Sequence, residues 1–337
     1  MNSFYPLKVS QIRTLTTHAV ELKFEIPAEL ESKFNFIAGQ YITIKHKIEG
    51  EEVRRAYSIC SSIKEGISVG VKKVETGKMS SFLTTKIKEG DVLEVMPPTG
   101  NFVLHGKNIV GICAGSGITP ILSMIKTSLL NNENSKFTLI YGNKTQESTM
   151  FYSDIKQLNI DTHFVFSKEK VKGLKEGRID RNMLDTFSDK ILSADAYFIC
   201  GPGEMIDTVF DFLTMKGIEK SKIHFERFTT TEKEETSKKQ TEAITSNVLV
   251  SIDGDDFEFT LSSNGKSILD AAMDAGADVP FSCKGGVCCT CRAKVMEGKA
   301  IMDQNFSLSE DEVEEGFILT CQAHPITENI VVDFDEM

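Results

Sequence analysis

The sequence has no stretch approaching the roughly 18 consecutive apolar residues that a membrane-spanning helix requires, so no spanning segment is expected. Its opening residues, MNSFYPLKVSQIRTLTTHAVELKFEI, lack an apolar block between a basic end and a cleavage site, and the expectation is a cytoplasmic protein. Cysteine is scarce, at eight in 337 residues, which excludes a disulfide scaffold. Positive charge is also short: 38 Lys+Arg face 49 Asp+Glu, for a net charge of -11. Nucleic-acid binding needs basic patches against phosphate, so none is expected. No internal repeat is visible. What remains, 40% hydrophobic and 26% charged residues, is the usage of a soluble globular chain. At about 150 residues per domain its length implies two or three domains.

The charge is unevenly placed. Residues 248–337 hold 18 acidic against 5 basic residues, residues 229–247 hold 4 against 3, and residues 1–228 carry a net +3. An acidic C-terminal domain suits a protein partner with a basic surface. Residues 229–247, TTTEKEETSKKQTEAITSN, have almost nothing to bury and read as a linker. Residues 1–105 show short alternating apolar runs (YITIKHKI, ISVGVKKV, VLEVM) between turn residues, the pattern of an antiparallel barrel. Over 106–228 the apolar segments NIVGICA, KFTLIYGN, DTHFVFS and AYFIC alternate with helical segments, which predicts a parallel sheet with crossover helices. In 248–337, VLVSIDGDDFEFTL reads as a hairpin turning at Asp253-Gly254, and Ser267 caps a short helix ending at Gly276.

Four of the eight cysteines fall between Cys283 and Cys291. Cys283, Cys288, Cys291 and Cys321 are spaced C-x4-C-x2-C-x29-C, the plant-type 2Fe-2S spacing. Two irons bridged by two sulfides need four thiolates. A tight loop supplies three, with Gly285 and Gly286 letting its backbone approach the sulfides. A zinc site would prefer paired C-x2-C units, and buried cysteines serving as small hydrophobes are the other alternative. Cys289 is a fifth thiol inside the loop, read as a non-ligand, with a ligand swap as the alternative.

Two further constellations suit nucleotides. Arg55-Ala56-Tyr57-Ser58 lies on a predicted strand, with Arg55 and Tyr57 on one face and Ser58 on the other. An Arg pairs with a pyrophosphate, a Tyr packs against a flavin ring, and a Ser bonds a flavin nitrogen. About twenty residues on, Gly77, Met79, Ser80 and Ser81 open a helix whose free N–H groups suit the same phosphates; an ordinary Ser-rich helix start reads the same way. GICAGSGITP follows a strand and opens a helix, so Gly115, Ser116 and Gly117 present amides to a second pyrophosphate, although the turn is not G-x-G-x-x-G. Cys200, Gly201 and Pro202 end the strand AYFIC, at the sheet edge where open parallel sheets bind ligands. Cys60 and Cys113 read as plain core.

In this order RAYS, GKMSSFL, GICAGSGITP, YGN, CGPGEM and the cysteine cluster resemble the ferredoxin-NADP reductase superfamily fused to a ferredoxin domain. The C-terminal segment from Pro280 to Gln322 is similar to reductase subunits of oxygenases of the ring-1,2-phenylacetyl-CoA epoxidase kind. The resemblance implies three parts: an FAD-binding barrel, an α/β NAD(P)-binding domain and a β-grasp 2Fe-2S domain. It implies that Arg55, Tyr57 and Ser58 hold the flavin, with Val71 and Lys72 beside it, and that Gly77, Met79 and Ser80 complete the FAD phosphate site. Gly115, Gly117 and Thr119 would lie under the nicotinamide nucleotide. Cys200 would face the nicotinamide, and Glu226 and Phe228 would lie near the flavin. Ser58, Thr119, Cys200 and Glu226 thereby become the candidates beside the reacting atoms. Ser167-Lys168 and Lys144 suit the 2'-phosphate of NADPH, with NADH possible and a solvated lysine face as the alternative.

Hydride donors deliver electrons in pairs and iron-sulfur clusters take them singly, so a flavin belongs between them. The expected path runs from NADPH through FAD and the 2Fe-2S cluster to an oxygenase, of the phenylacetyl-CoA epoxidase di-iron kind. A Rieske oxygenase, a lipid desaturase or a haem protein is an alternative acceptor. A redox-sensing interaction protein is the alternative from another class, against which the intact phosphate loops count.

Overall fold

Six strands open the chain: β1 (Tyr5–Thr16), β2 (Ala19–Glu25), β3 (Tyr41–Ile48), β4 (Glu51–Ser58), β5 (Ser68–Lys72) and β6 (Val92–Thr99). This computed structural model describes residues 4–131, 135–228 and 243–336. The six strands pair antiparallel in the order β4-β3-β6-β1-β2-β5, and an Ile59–Val69 bridge joins the two edges into a barrel. Period-two alternation turns Leu7 and Val9, Ile42 and Ile44, and Val69 and Val71 inward, where all are buried. Helix α1 (Lys78–Thr85) adds Met79 and Leu83, four residues apart on one face, to the same core.

The next sheet is wholly parallel. It consists of β7 (Asn108–Ala114), β8 (Lys136–Asn143), β9 (Asp161–Phe166), β10 (Lys175–Glu176), β11 (Ala196–Gly201) and β12 (Ile223–Arg227), in the order β10-β9-β8-β7-β11-β12. Helices α2 (Ile118–Asn131), α3 (Tyr152–Gln157), α4 (Arg181–Asp185), α5 (Ser188–Ile191) and α6 (Gly203–Met215) make the connections. The unbroken apolar run of β7 follows from burial on both faces. Strand order reverses between β7 and β11, and such a switch point opens a crevice at the strands' C-terminal ends.

Barrel and parallel sheet form one compact unit, Phe4–Phe228. The boundary expected at 105/106 falls between β6 and β7, with a barrel core before it and a sheet core after it, and a third apolar cluster spans it. Ala19, Ala38, Cys60 and Phe102 pack in one cluster with Ile118, Ile121, Met124 and Ile125 of α2. Arg13 pairs with Asp154 at 2.8 Å and Lys126 with Glu65 at 3.1 Å across the same junction. These partly exposed pairs contribute up to about 1 kcal/mol each, against about 1.5–3 kcal/mol for each large apolar side chain buried.

Residues 243–336 belong to a second unit. Its strands are β13 (Thr245–Ile252), β14 (Asp255–Ser262), β15 (Arg292–Glu297), β16 (Ala300–Met302), β17 (Phe317–Leu319), β18 (Ala323–Pro325) and β19 (Asn329–Asp333). Five form a mixed sheet, β14-β13-β19-β15-β17, with β13 and β19 parallel, and β16 pairs with β18. Helix α7 (Ile268–Asp274) packs Ile268, Leu269 and Ala272 into a core with Val248 and Val250, giving a β-grasp. Asp253 and Gly254 turn the first hairpin with φ of 52° and 83°, the geometry that matches strand twist. Ser267 caps α7 by accepting from Asp270 N, and Gly276 follows the helix at φ 94°. A short helix α8 (Glu310–Glu314) starts from a Ser309–Glu312 capping box.

The expected linker needs correction at its end, because β13 begins at Thr245. Ser246 alternates inward with Val248 and Val250, and its buried hydroxyl donates to Thr327 O at 2.6 Å, so polar composition concealed a strand start. Residues 229–242 of the linker lie outside the described residues. No helix among the described residues is long and apolar enough to cross a membrane.

Candidate functional site

Cys200 and Glu226 are register partners on β11 and β12, at the C-terminal end of the parallel sheet. Barrel residue Ser58, last in β4, donates its hydroxyl to Glu226 Oε2 at 3.1 Å. Burial pushes the Glu226 carboxyl up to about 8, opposed by the Ser58 hydrogen bond. Burial likewise raises the Cys200 thiol well above its ordinary range, and the neighbouring Glu226 adds to this. Three of the four reacting-site candidates therefore meet at one place, where charge is held off the side chains.

The turn after β7 borders that place. Gly115 has φ +58°, and a Cβ on Gly117 would collide with the Cys200 carbonyl oxygen, so glycine at 117 is what lets the two strand ends close up. Thr119 is buried, donates its hydroxyl to Ser116 O at 3.0 Å, and sets its methyl against the position of a Gly70 Cβ. It shapes the turn. Tyr141, whose motif YGN carried no role from sequence, donates to Gly115 O at 2.9 Å. Gly201 packs against Ala114, and Pro202 O accepts the first N–H bonds of α6. The Lys72 ammonium reaches the turn after β7: a Cβ on Gly115 would stand 3.8 Å from Lys72 Nζ. Burial and the nearby Lys144 charge lower its pKa.

On the barrel, burial raises the Tyr57 phenol and the charge of Arg55 opposes that shift. Arg55 also donates to Arg54 O at 2.7 Å, and Ala56, between Arg55 and Tyr57, is half-buried. Val71 is fully buried in the barrel core. Gly77 is the N-cap of α1, and a Cβ there would crowd Ser80 Oγ and Val74. Ser80 Oγ accepts from Val74 N, which fixes the turn, while Ser81 N bonds Gly77 O and so begins the helical ladder. The N–H groups before it belong to the first turn, where helices offer donors to anions. Phe228 follows β12 and is partly exposed.

The loops after β8 and β9 continue the parallel ladder. Ser167 N bonds Asn143 O and Lys168 N bonds Lys144 O, both at 2.9 Å, which sets the two exposed lysines side by side. Glu169, overlooked in the sequence, accepts from Gln146 N at 2.6 Å and ties the two loops together.

In the second unit the cysteine loop runs between α7 and β15. Cys283 Sγ accepts from Gly285 N at 3.3 Å, and Cys288 Sγ from Cys283 N and Thr290 Oγ1, both at 3.4 Å. The thiols of Cys288 and Cys321 reach Cys283, holding it well below the ordinary thiol range against the effect of burial. Cys291 is held down chiefly by Cys321 in the same way. Cys289 instead donates to Ser307 O at 3.2 Å, and burial pushes its thiol up to about 11. Cys60 and Cys113 are fully buried in the shared core of the first unit.

Residues 6–104 match the oxidoreductase FAD-binding domain, 112–211 the oxidoreductase NAD-binding domain, and 250–325 the 2Fe-2S iron-sulfur cluster binding domain. The chain is 40% identical, over 99% of both sequences, to one of the subunits of 1,2-phenylacetyl-CoA epoxidase of Escherichia coli K12. The chain belongs to the reductases that join these three domains. It is also 31% identical to the ferredoxin reductase component of 3-ketosteroid-9-alpha-monooxygenase of Rhodococcus rhodochrous, over 97% of this chain and 96% of that one. Phthalate dioxygenase reductase shares the architecture, with a TM-score of 0.63, 25% identity and 98% coverage of each chain. The reductase is thus an oxidoreductase with FAD, NAD and 2Fe-2S domains. Its residues fit those groups: the turn at Gly117 admits no side chain, and the four thiols gather around a loop whose amides face sulfur.

Proposed function

We propose that the protein moves electrons from NADPH through FAD and its 2Fe-2S centre to a separate oxygenase, of the phenylacetyl-CoA epoxidase di-iron kind, in the cytoplasm. The observation behind this reading is the Ser58–Glu226 hydrogen bond beside Cys200, at the switch point of a chain whose second unit gathers four thiols. Full-length similarity to the epoxidase component supports the choice of acceptor. The similarity to a 3-ketosteroid monooxygenase component keeps a different oxygenase as the second reading.

When bound, the flavin supplies the exchange between a hydride donor and single-electron carriers, and the 2Fe-2S cluster supplies the one-electron outlet. Gly115, Ser116 and Gly117 hold the nucleotide pyrophosphate by backbone amides, with Lys72 and Lys144 adding charge. Lys168 and Ser167 favour the 2'-phosphate. Arg55 and the first turn of α1 hold the FAD phosphates, and Tyr57 covers the ring. Cys200, buried and uncharged, bounds the nicotinamide position and excludes water. At the site of hydride exchange Glu226 keeps a proton at its carboxyl until about pH 8 while Ser58 Oγ donates to its Oε2.

Reconstitution tests the reading. NADPH, the purified protein and a phenylacetyl-CoA epoxidase oxygenase component should together convert phenylacetyl-CoA. Brisk cytochrome c reduction with no such conversion would assign the electrons to another acceptor.

A further inference from the structure

Gln322 follows the fourth cysteine of the thiol site and is 8% exposed. Its side-chain Nε2 lies 3.2 Å from Lys284 O, 3.0 Å from Cys321 O and 3.7 Å from Cys321 Sγ. Carbonyl oxygens only accept, so the nitrogen end of the carboxamide is the end that faces them. Lys284 sits inside the three-cysteine loop with φ +50°, a conformation that side chains other than glycine adopt at a cost. Three contacts hold it there: its ammonium reaches Asp270 on α7 at 2.7 Å and lies over the Phe281 ring, and its carbonyl receives Gln322. Gly286 makes room for the stem, since a Cβ there would stand 3.2 Å from Gln322 Cγ. One side chain therefore joins two segments of the thiol site that lie 38 residues apart. The loop's own groups serve the sulfurs of Cys283 and Cys288, whereas Cys321 Sγ receives Gln322.

We propose that Gln322 is a positioning residue for the 2Fe-2S centre: its carboxamide staples the cysteine loop to Cys321 and, by donating toward the Cys321 sulfur, favours uptake of the electron. An N–H aimed at a thiolate sulfur stabilises added negative charge on the ligand, so its loss makes reduction harder. The proposal rests on the four thiols holding a 2Fe-2S cluster. Iron and sulfide analysis of the wild type tests that premise separately.

The experiment uses the full chain with Gln322→Met, which keeps the length and loses the N–H, and Gln322→Glu, which keeps the shape and sets acceptors where the donors were. Midpoint potentials from redox titration followed by electron paramagnetic resonance are compared with rates of iron release to a chelator. Gln322→Met should shift the reduction equilibrium against uptake by about threefold, or about 28 mV at 59 mV per tenfold for one electron. Gln322→Glu should shift it further, and both should release iron at least about threefold faster. A variant that keeps its circular dichroism but fails to load iron supports the staple, and Gln322→Asn, with donors drawn back by one methylene, then reads the potential. Wild-type potentials in iron-loaded variants overturn the proposal, whatever the release rates.

Discussion

Ser58 and Glu226 are 168 residues apart in sequence, and a 3.1 Å hydrogen bond joins them across the junction of barrel and parallel sheet. The bond ties the last residue of a barrel strand to the final strand of the sheet, so the site exists only when both lobes are assembled. It also tempers the protonation of Glu226, because burial, the larger effect, favours the neutral acid while the hydroxyl favours the charged carboxylate.

The pH dependence of stability follows from that balance. The Glu226 carboxyl moves from an ordinary 4.5 up to about 8 on folding, so between those values the folded chain binds more protons than the unfolded one. The contribution of this group to stability is full at low pH, falls as pH rises toward about 8, and is constant beyond. Thermal melts of flavin-free wild type and Glu226→Gln should therefore diverge in favour of the variant from about pH 5 to pH 8. Parallel curves would contradict the assignment.

Ser58→Ala removes the one group that lowers the Glu226 pKa and leaves a buried carboxyl without that partner. A cost of about 1–3 kcal/mol is expected, with the inflection of the melting curve moved to higher pH. An inflection that stays put would show that the hydroxyl does not act on Glu226.

Cys288→Ser should abolish stoichiometric iron and sulfide while leaving NADPH-driven ferricyanide reduction largely intact, since the flavin lobe lies in the other unit. Cys289→Ser should keep the full iron content, because its thiol donates to Ser307 O. Equal iron loss in both variants would bring Cys289 into the ligand set.

Lys168→Ala removes one of two lysines set side by side after β8 and β9. The KM for NADPH should rise by about tenfold, equivalent to about 1.4 kcal/mol of binding, with far less change for NADH. Steady-state kinetics with both nucleotides decides the matter, and similar changes would remove Lys168 from the 2'-phosphate site.

Gly117→Ala sets a Cβ against the Cys200 carbonyl oxygen, where neither strand end can yield cheaply. Loss of NADPH binding by calorimetry and a lowered melting temperature of the first unit are expected, with iron content unchanged. Wild-type affinity would mean that the turn is not the nucleotide seat.

Elements and motifs were legible in the sequence because their signals are local. The apolar run of NIVGICA marks a strand buried on both faces, and Asp253-Gly254 marks a tight turn. Relationships across the fold were not. Lys72 reads as part of a barrel strand, and only the closure of barrel on sheet carries its ammonium to Gly115. Glu169 and Gln322 look like ordinary polar residues, since nothing local reveals that one ties two loops and the other two halves of a thiol site. Ser246 reads as linker because hydroxyls are common there, although its partner Thr327 lies 81 residues away.

The apolar cluster shared by barrel and parallel sheet governs where a chain of this kind can be cut and rejoined. A break near residue 105 would leave Ala38, Cys60 and Phe102 on one fragment and α2 on the other, each with bare apolar surface in water. Among the described residues, that cluster includes none beyond Phe228. Under recombination the two nucleotide-binding lobes are therefore expected to be inherited as one block.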